Sequence, residues 1–161
     1  MATSATEAVA GMDRQRLDDV LTGPVAGLPC KVGRWHGDLS PWNMMTGRQS
    51  TGVIDWEFSH DHMSLGSDLV HHRFMVATHL GEQTAVDALD TCRASCAALY
   101  RSAAIADDEI PGHFALWLLE LIRRDLELAS HGVAPTGYGA PALDVLRSAT
   151  PGLPAQWARH R

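Results

Sequence analysis

Lysine is almost missing from this chain: Lys31 stands alone against twelve arginines. There is no basic run, and the formal net charge of −6 argues against nucleic acid or an anionic membrane surface as a partner. No apolar stretch approaches the length of a membrane span, and Met1-Ala2-Thr3-Ser4 does not open a basic-then-apolar leader. Cysteine is scarce as well. Three residues, an odd count without metal-ligand or redox spacing, exclude a disulfide framework and lead us to expect reduced thiols in a cytoplasmic protein. Internal repeats and low-complexity linkers are lacking too. One domain over 1–161 is expected, with the small polar residues 1–11 disordered.

What is present suffices for a core: 45% of residues are hydrophobic and 20% charged. Asp13 to Leu21 reads as a short helix stopped by Gly23-Pro24, and Cys30 to Trp35 as a strand. Asn43-Met44-Met45 and Thr51 to Asp55 read as two strands joined by a turn over Gly47 to Ser50. From Asp68 the period becomes helical. Val70, Phe74, Ala77 and Leu80 share one face. Ala85, Leu89, Cys92, Cys96, Leu99 and Ala103 mark a second helix, and Ala115, Leu119, Ile122, Leu126 and Ala129 a third. Gly81 and Gly132 are candidate stops. Pro135 to Pro141 reads as a loop, and Leu143 to Arg147 with a segment near Trp157 as short closing elements.

The chemistry concentrates in Trp35-His36-Gly37-Asp38-Leu39-Ser40-Pro41-Trp42-Asn43 and in Gly52-Val53-Ile54-Asp55-Trp56-Glu57. An acid, an amide five residues on and a second acid after an apolar run form the set that magnesium-dependent phosphoryl transfer from a nucleotide needs. One carboxylate orients the attacking hydroxyl, and an amide oxygen and another carboxylate hold the metal. Asp38 is the candidate base, and Asn43 and Asp55 are the candidate Mg²⁺ ligands. Ser40 either donates to a phosphate oxygen or is a turn serine before Pro41. His36 and Gly37 are read as shaping the loop.

These two motifs resemble the aminoglycoside phosphotransferase and choline kinase family, where the loop reads His-Gly-Asp-x4-Asn and the metal motif Ile-Asp-Trp or Leu-Asp-Trp. The resemblance implies a mainly α (α+β) fold. It would be a kinase-like C-terminal lobe, a helical bundle whose small β hairpin carries the loop on one side and the metal-binding Asp on the other. It implies ATP or GTP with Mg²⁺ as cofactors and a small-molecule hydroxyl as acceptor. Asp68, in Asp68-Leu69-Val70, matches the family residue that holds the loop backbone. Its local alternative is a helix N-terminal carboxylate.

The family's phosphate-covering loop and strand lysine have no counterpart here, so the N-terminal lobe is expected to be absent. Lys31 lies too close to His36 to serve as that lysine, and Gly137-Tyr138-Gly139 lacks the Lys-Ser/Thr of a phosphate loop. The chain alone is therefore expected to be an incomplete, poor phosphotransferase, and three explanations follow. The chain is a fragment or truncated reading of a longer phosphotransferase, or a homodimer or partner chain supplies the lobe, or a lone C-lobe serves as a binding module or a non-phosphorylating enzyme. His60, His62, His71 and His72 suggest a metal, but a zinc site needs three or four converging ligands, and His60 and His62 are placed in a loop. Cys92 and Cys96 read as core. Glu120, Asp125, Glu127 and Asp144 line an acceptor pocket or form a solvated helix face.

Overall fold

The computed structural model describes residue 25 and residues 27–148. The disordered start expected over 1–11, the helix over 13–21 and the segment near Trp157 lie outside the described residues. The described residues fall into two units: Pro29–Trp117, and residues 118–148 with the few described residues before Pro29.

Within Pro29–Trp117, strand β1 (Val32–Trp35) pairs antiparallel with β4 (His60–Ser64), with a register shift between Gly33 and Trp35. A 3-10 turn, Pro41–Asn43, leads into a hairpin of β2 (Met44–Thr46) and β3 (Thr51–Val53), in register Met44↔Val53 to Thr46↔Thr51. The Gly47 N–H donates to Ser50 O at 2.8 Å and closes the turn. The hairpin and its turn fall where the sequence placed them. The β1–β4 sheet is new: His60 and His62, expected in a loop, stand on a strand.

Helix α1 (Ser67–Met75) runs into a π-helical turn, Val76–Leu80, and α2 spans Ala85–Ser102. Thr84 caps α2 by accepting the Asp87 N–H and donating to its carboxylate. Helix α3 (Ile110–Ser130) gives its first turns to this unit and the rest to the other. It begins before Ala115, the first residue of the expected stripe, because Pro111 fits a first helical turn, where no N–H is needed.

Val70, Phe74, Leu89, Cys92, Cys96, Tyr100, Phe114 and Trp117 are buried and form the core of this unit. Phe74 and Phe114 meet Trp117 at centroid distances of 5.6 and 5.4 Å. Each such side chain contributes roughly 1.5–3 kcal/mol through removal from water. Leu80 departs from the expected face and is exposed. The wider π turn carries it past the phase that an α-helix would have kept.

In the other unit, the later part of α3 buries Leu118, Leu121 and Ile122, and α4 (Gly139–Ser148) buries Ala142, Leu143 and Leu146. Gly132 takes φ 70° just past α3, and the Val133 N–H returns to Leu128 O, a helix stop that a left-handed residue permits. Helix α4 starts before the expected Leu143 because the Asp125 carboxylate accepts the Gly139 N–H and fixes its first turn. No helix among the described residues is long and apolar enough to cross a membrane.

Candidate active site

The stretch from His36 to Trp42 is held against α1 and the π turn, contact by contact. Asp68, in the first turn of α1, accepts the backbone N–H of His36 at 2.9 Å and of Gly37 at 3.3 Å. His71 Nε2 lies 3.4 Å from Asp38 Oδ1. His72 Nδ1–H donates to Leu39 O at 3.0 Å. His79, in the π turn, meets the edge of Trp42 at 5.0 Å. The spacings 68, 71 and 72 follow from α-helical geometry, which stacks residues three and four apart on one face, and the π turn carries His79.

Around Asp38 the polar groups converge. Ser40, fully buried, donates its hydroxyl to Oδ1. The Asn43 amide nitrogen donates to the Asp38 carbonyl at 2.9 Å and to Oδ2 at 3.1 Å, which leaves the amide oxygen as that side chain's acceptor. The Asp38 side chain remains 23% exposed, so its carboxylate can meet a substrate while its neighbours are buried.

His36 joins the two motifs. Its Nδ1 accepts the Asp38 N–H at 3.2 Å, so the proton sits on Nε2, which donates to Ile54 O at 2.8 Å. An imidazole engaged on both nitrogens is a brace and not a base. The Ile54 N–H in turn donates to Asn43 O at 3.0 Å. Asp55 follows, exposed and in the left-handed region with φ 65°, and is tied to the group through the backbone of Ile54. Thus Asp38, Ser40, Asn43, His36, Gly37 and Asp68 meet directly, with Asp55 next to the His36–Ile54 bond.

Among the described residues no group of three or more His, Cys, Asp or Glu is placed to hold a metal ion. The paired histidines have other work: His71 and His72 face the loop, His60 lies edge-on to Trp35, and the His62 N–H donates to His60 Nδ1. His71 beside Asp38 is the site residue that sequence reasoning missed. The available signal was its position one turn after Asp68.

Lys31 pairs with Glu109 at 2.9 Å, at the exposed end of β1. Its backbone N–H donates to Nε2 of the buried His113, whose Nδ1 is 3.7 Å from Cys30 Sγ. With Nε2 accepting, Nδ1 carries the proton, so His113 cannot take one from the thiol. Burial pushes the Cys30 thiol up to about 11, with Glu109 adding to the rise. The pair is therefore unsuited to nucleophilic chemistry.

The acidic residues of the other unit resolve one by one. Asp125, fully buried, accepts from the backbone of Thr136, Gly137 and Gly139 and from the Thr136 hydroxyl. Glu120 is buried between Arg123 and Arg124. Burial raises its carboxyl, and the two guanidinium groups outweigh that and hold it lower than usual. Glu127 is exposed and pairs with Arg123, and Asp144 is exposed. Asp125 is thus neither pocket wall nor solvated face: it fastens the 136–139 loop.

No curated protein and no solved structure matches this chain. Asp38, Ser40, Asn43, Asp55, Asp68 and His71 all fall within residues 3–72, and those residues match the model of the phosphotransferase enzyme family.

Proposed function

We propose that this chain transfers the terminal phosphoryl group of ATP or GTP to a hydroxyl of a small molecule, with Mg²⁺. The observation that supports this best is the bonded unit Asp38–Asn43, braced through His36 to the Ile54-Asp55-Trp56 segment. The donor chemistry fits the metal. The Asn43 amide oxygen and the Asp55 carboxylate are hard oxygen ligands, and Mg²⁺ takes few protein ligands beside phosphate oxygens and water. When bound, the ion supplies charge neutralisation at the phosphate oxygens. Asp38 orients the acceptor hydroxyl and takes its proton as the new O–P bond forms and the bond to the nucleoside diphosphate breaks. Asn43 donates to Oδ2 of that carboxylate and Ser40 to Oδ1. Such a reaction draws on cytoplasmic nucleotide.

The exposed Trp42, Met45, Ile54, Trp56 and Phe58 support a second reading, in which the chain works with a second copy or a partner chain or serves as a binding module. Calorimetric titration with MgATP and MgGTP, followed by turnover with kanamycin and with choline as acceptors, separates the two. Nucleotide binding with turnover that Asp38→Ala abolishes supports the enzyme. Absence of both nucleotide binding and turnover removes it and leaves the binding module.

A further inference from the structure

We infer that His71 is a positioning residue for Asp38: its Nε2–H, delivered by α1, sets the plane of the carboxylate that receives the acceptor's proton. The inference rests on the phosphotransfer reading and deepens it.

A carboxylate on a short side chain rotates easily about its last bond. Here Asn43 grips Oδ2, while Ser40 and His71 address Oδ1. The Ser40 hydroxyl is itself a free rotor, so alone it fixes little. His71 differs because its own orientation is set. It is 4% exposed, and its ring meets the edge of Trp35, itself 2% exposed, at 6.3 Å and 75°. It also stands on the same face of the same helix as Asp68, which anchors the loop backbone at His36 and Gly37. One rigid element therefore holds both the backbone before Asp38 and the carboxylate itself. The 3.4 Å separation is longer than a mature N–H···O bond, and such contacts shorten when the reacting complex forms. A misplacement of about 1 Å in a reacting group costs about 100-fold in rate.

The test uses the full chain with MgATP and the acceptor that turns over. His71→Phe keeps the ring volume without the donor, and His71→Gln restores an amide N–H near the Nε2 position. His71→Phe is expected to lower kcat by about 100-fold while the KM for MgATP stays within about twofold, and His71→Gln to recover at least about tenfold of the loss. A His71→Phe protein with wild-type kcat, or a His71→Gln protein no better than His71→Phe, overturns the inference. Should the wild type turn over neither acceptor, ¹⁵N NMR of the histidine rings decides the inference separately from the function reading. The expected result is a His71 Nε2–H signal that moves in Asp38→Ala and stays in Asp55→Ala. An Nδ1–H tautomer, or indifference to Asp38→Ala, overturns it.

Discussion

Gly37 lies flush against the backbone of Phe58: a Cβ built on it would sit 2.5 Å from the Phe58 carbonyl oxygen, and its φ is +95°. Both the space and the backbone conformation demand glycine. Gly37→Ala is expected to cost about 2 kcal/mol or more, since a left-handed non-glycine residue alone costs about 1–3. It should also push Asp38 out of line. Thermal unfolding and MgATP calorimetry check this together. A stable Gly37→Ala protein with unchanged nucleotide binding would count against the loop geometry.

Asp55 keeps a left-handed backbone, φ 65°, in a non-glycine residue, a conformation that costs roughly 1–2 kcal/mol for most side chains. The strain and the carboxylate can be separated. Asp55→Ala and Asp55→Gly should both abolish MgATP binding, because each removes the oxygen ligand. Asp55→Gly should nonetheless be more stable than Asp55→Ala by about 1 kcal/mol. Calorimetry paired with urea midpoints reads both effects.

His113 gives the fold a pH dependence of known sign. Burial lowers its pKa below the ordinary 6.5, against the opposing pull of Glu109. Above 6.5 both folded and unfolded forms are neutral, and stability is flat with respect to this group. As pH falls below 6.5 the unfolded chain takes a proton that the folded one resists, so stability drops until the lower folded pKa is passed. Urea midpoints between about pH 8 and about pH 5 should fall for the wild type and fall less for His113→Gln, which keeps an acceptor for the Lys31 N–H without titrating. Equal slopes in the two proteins would reject the assignment.

Asp125 collects three backbone N–H groups and one hydroxyl, with the Thr136 and Gly139 N–H groups each at 2.8 Å. Asp125→Ala strands these donors and should cost at least about 3 kcal/mol, given about 1–3 for each buried unsatisfied group. Asp125→Asn should be little better, because an NH₂ would face N–H donors. Circular dichroism across a denaturant series would show α4 lost early in both.

The motifs were legible in the sequence because their geometry is local. Asn43 and Asp55 bracket a hairpin whose turn is spelled by Gly47 to Ser50, and the Leu89-Cys92-Cys96 stripe announces a helix with no tertiary knowledge. Strand β4 was not legible. His60-Asp61-His62-Met63-Ser64 has no apolar alternation, and its partner β1 lies far back in the chain, so only the pairing makes it a strand. The π turn was hidden as well, because Val76 to Leu80 looks like continued α-helix until Leu80 turns outward. His71 drew attention as half of a histidine pair. Its bearing on Asp38 depends on a loop 33 residues earlier, a distance that no local pattern spans.

The anchoring of His36–Leu39 along α1 bears on how the site assembles. The bonds Asp68–His36, Asp68–Gly37, His71–Asp38 and His72–Leu39 span 32, 31, 33 and 33 residues, so loop and helix run side by side in the same direction. The entropy of closing that length of chain is spent at the first of these bonds, and the others then form at almost no further closure cost. The four contacts should therefore zip and unzip together. In native-state hydrogen exchange the amides of His36 and Gly37 would then share a single opening free energy, and the site would be either whole or gone.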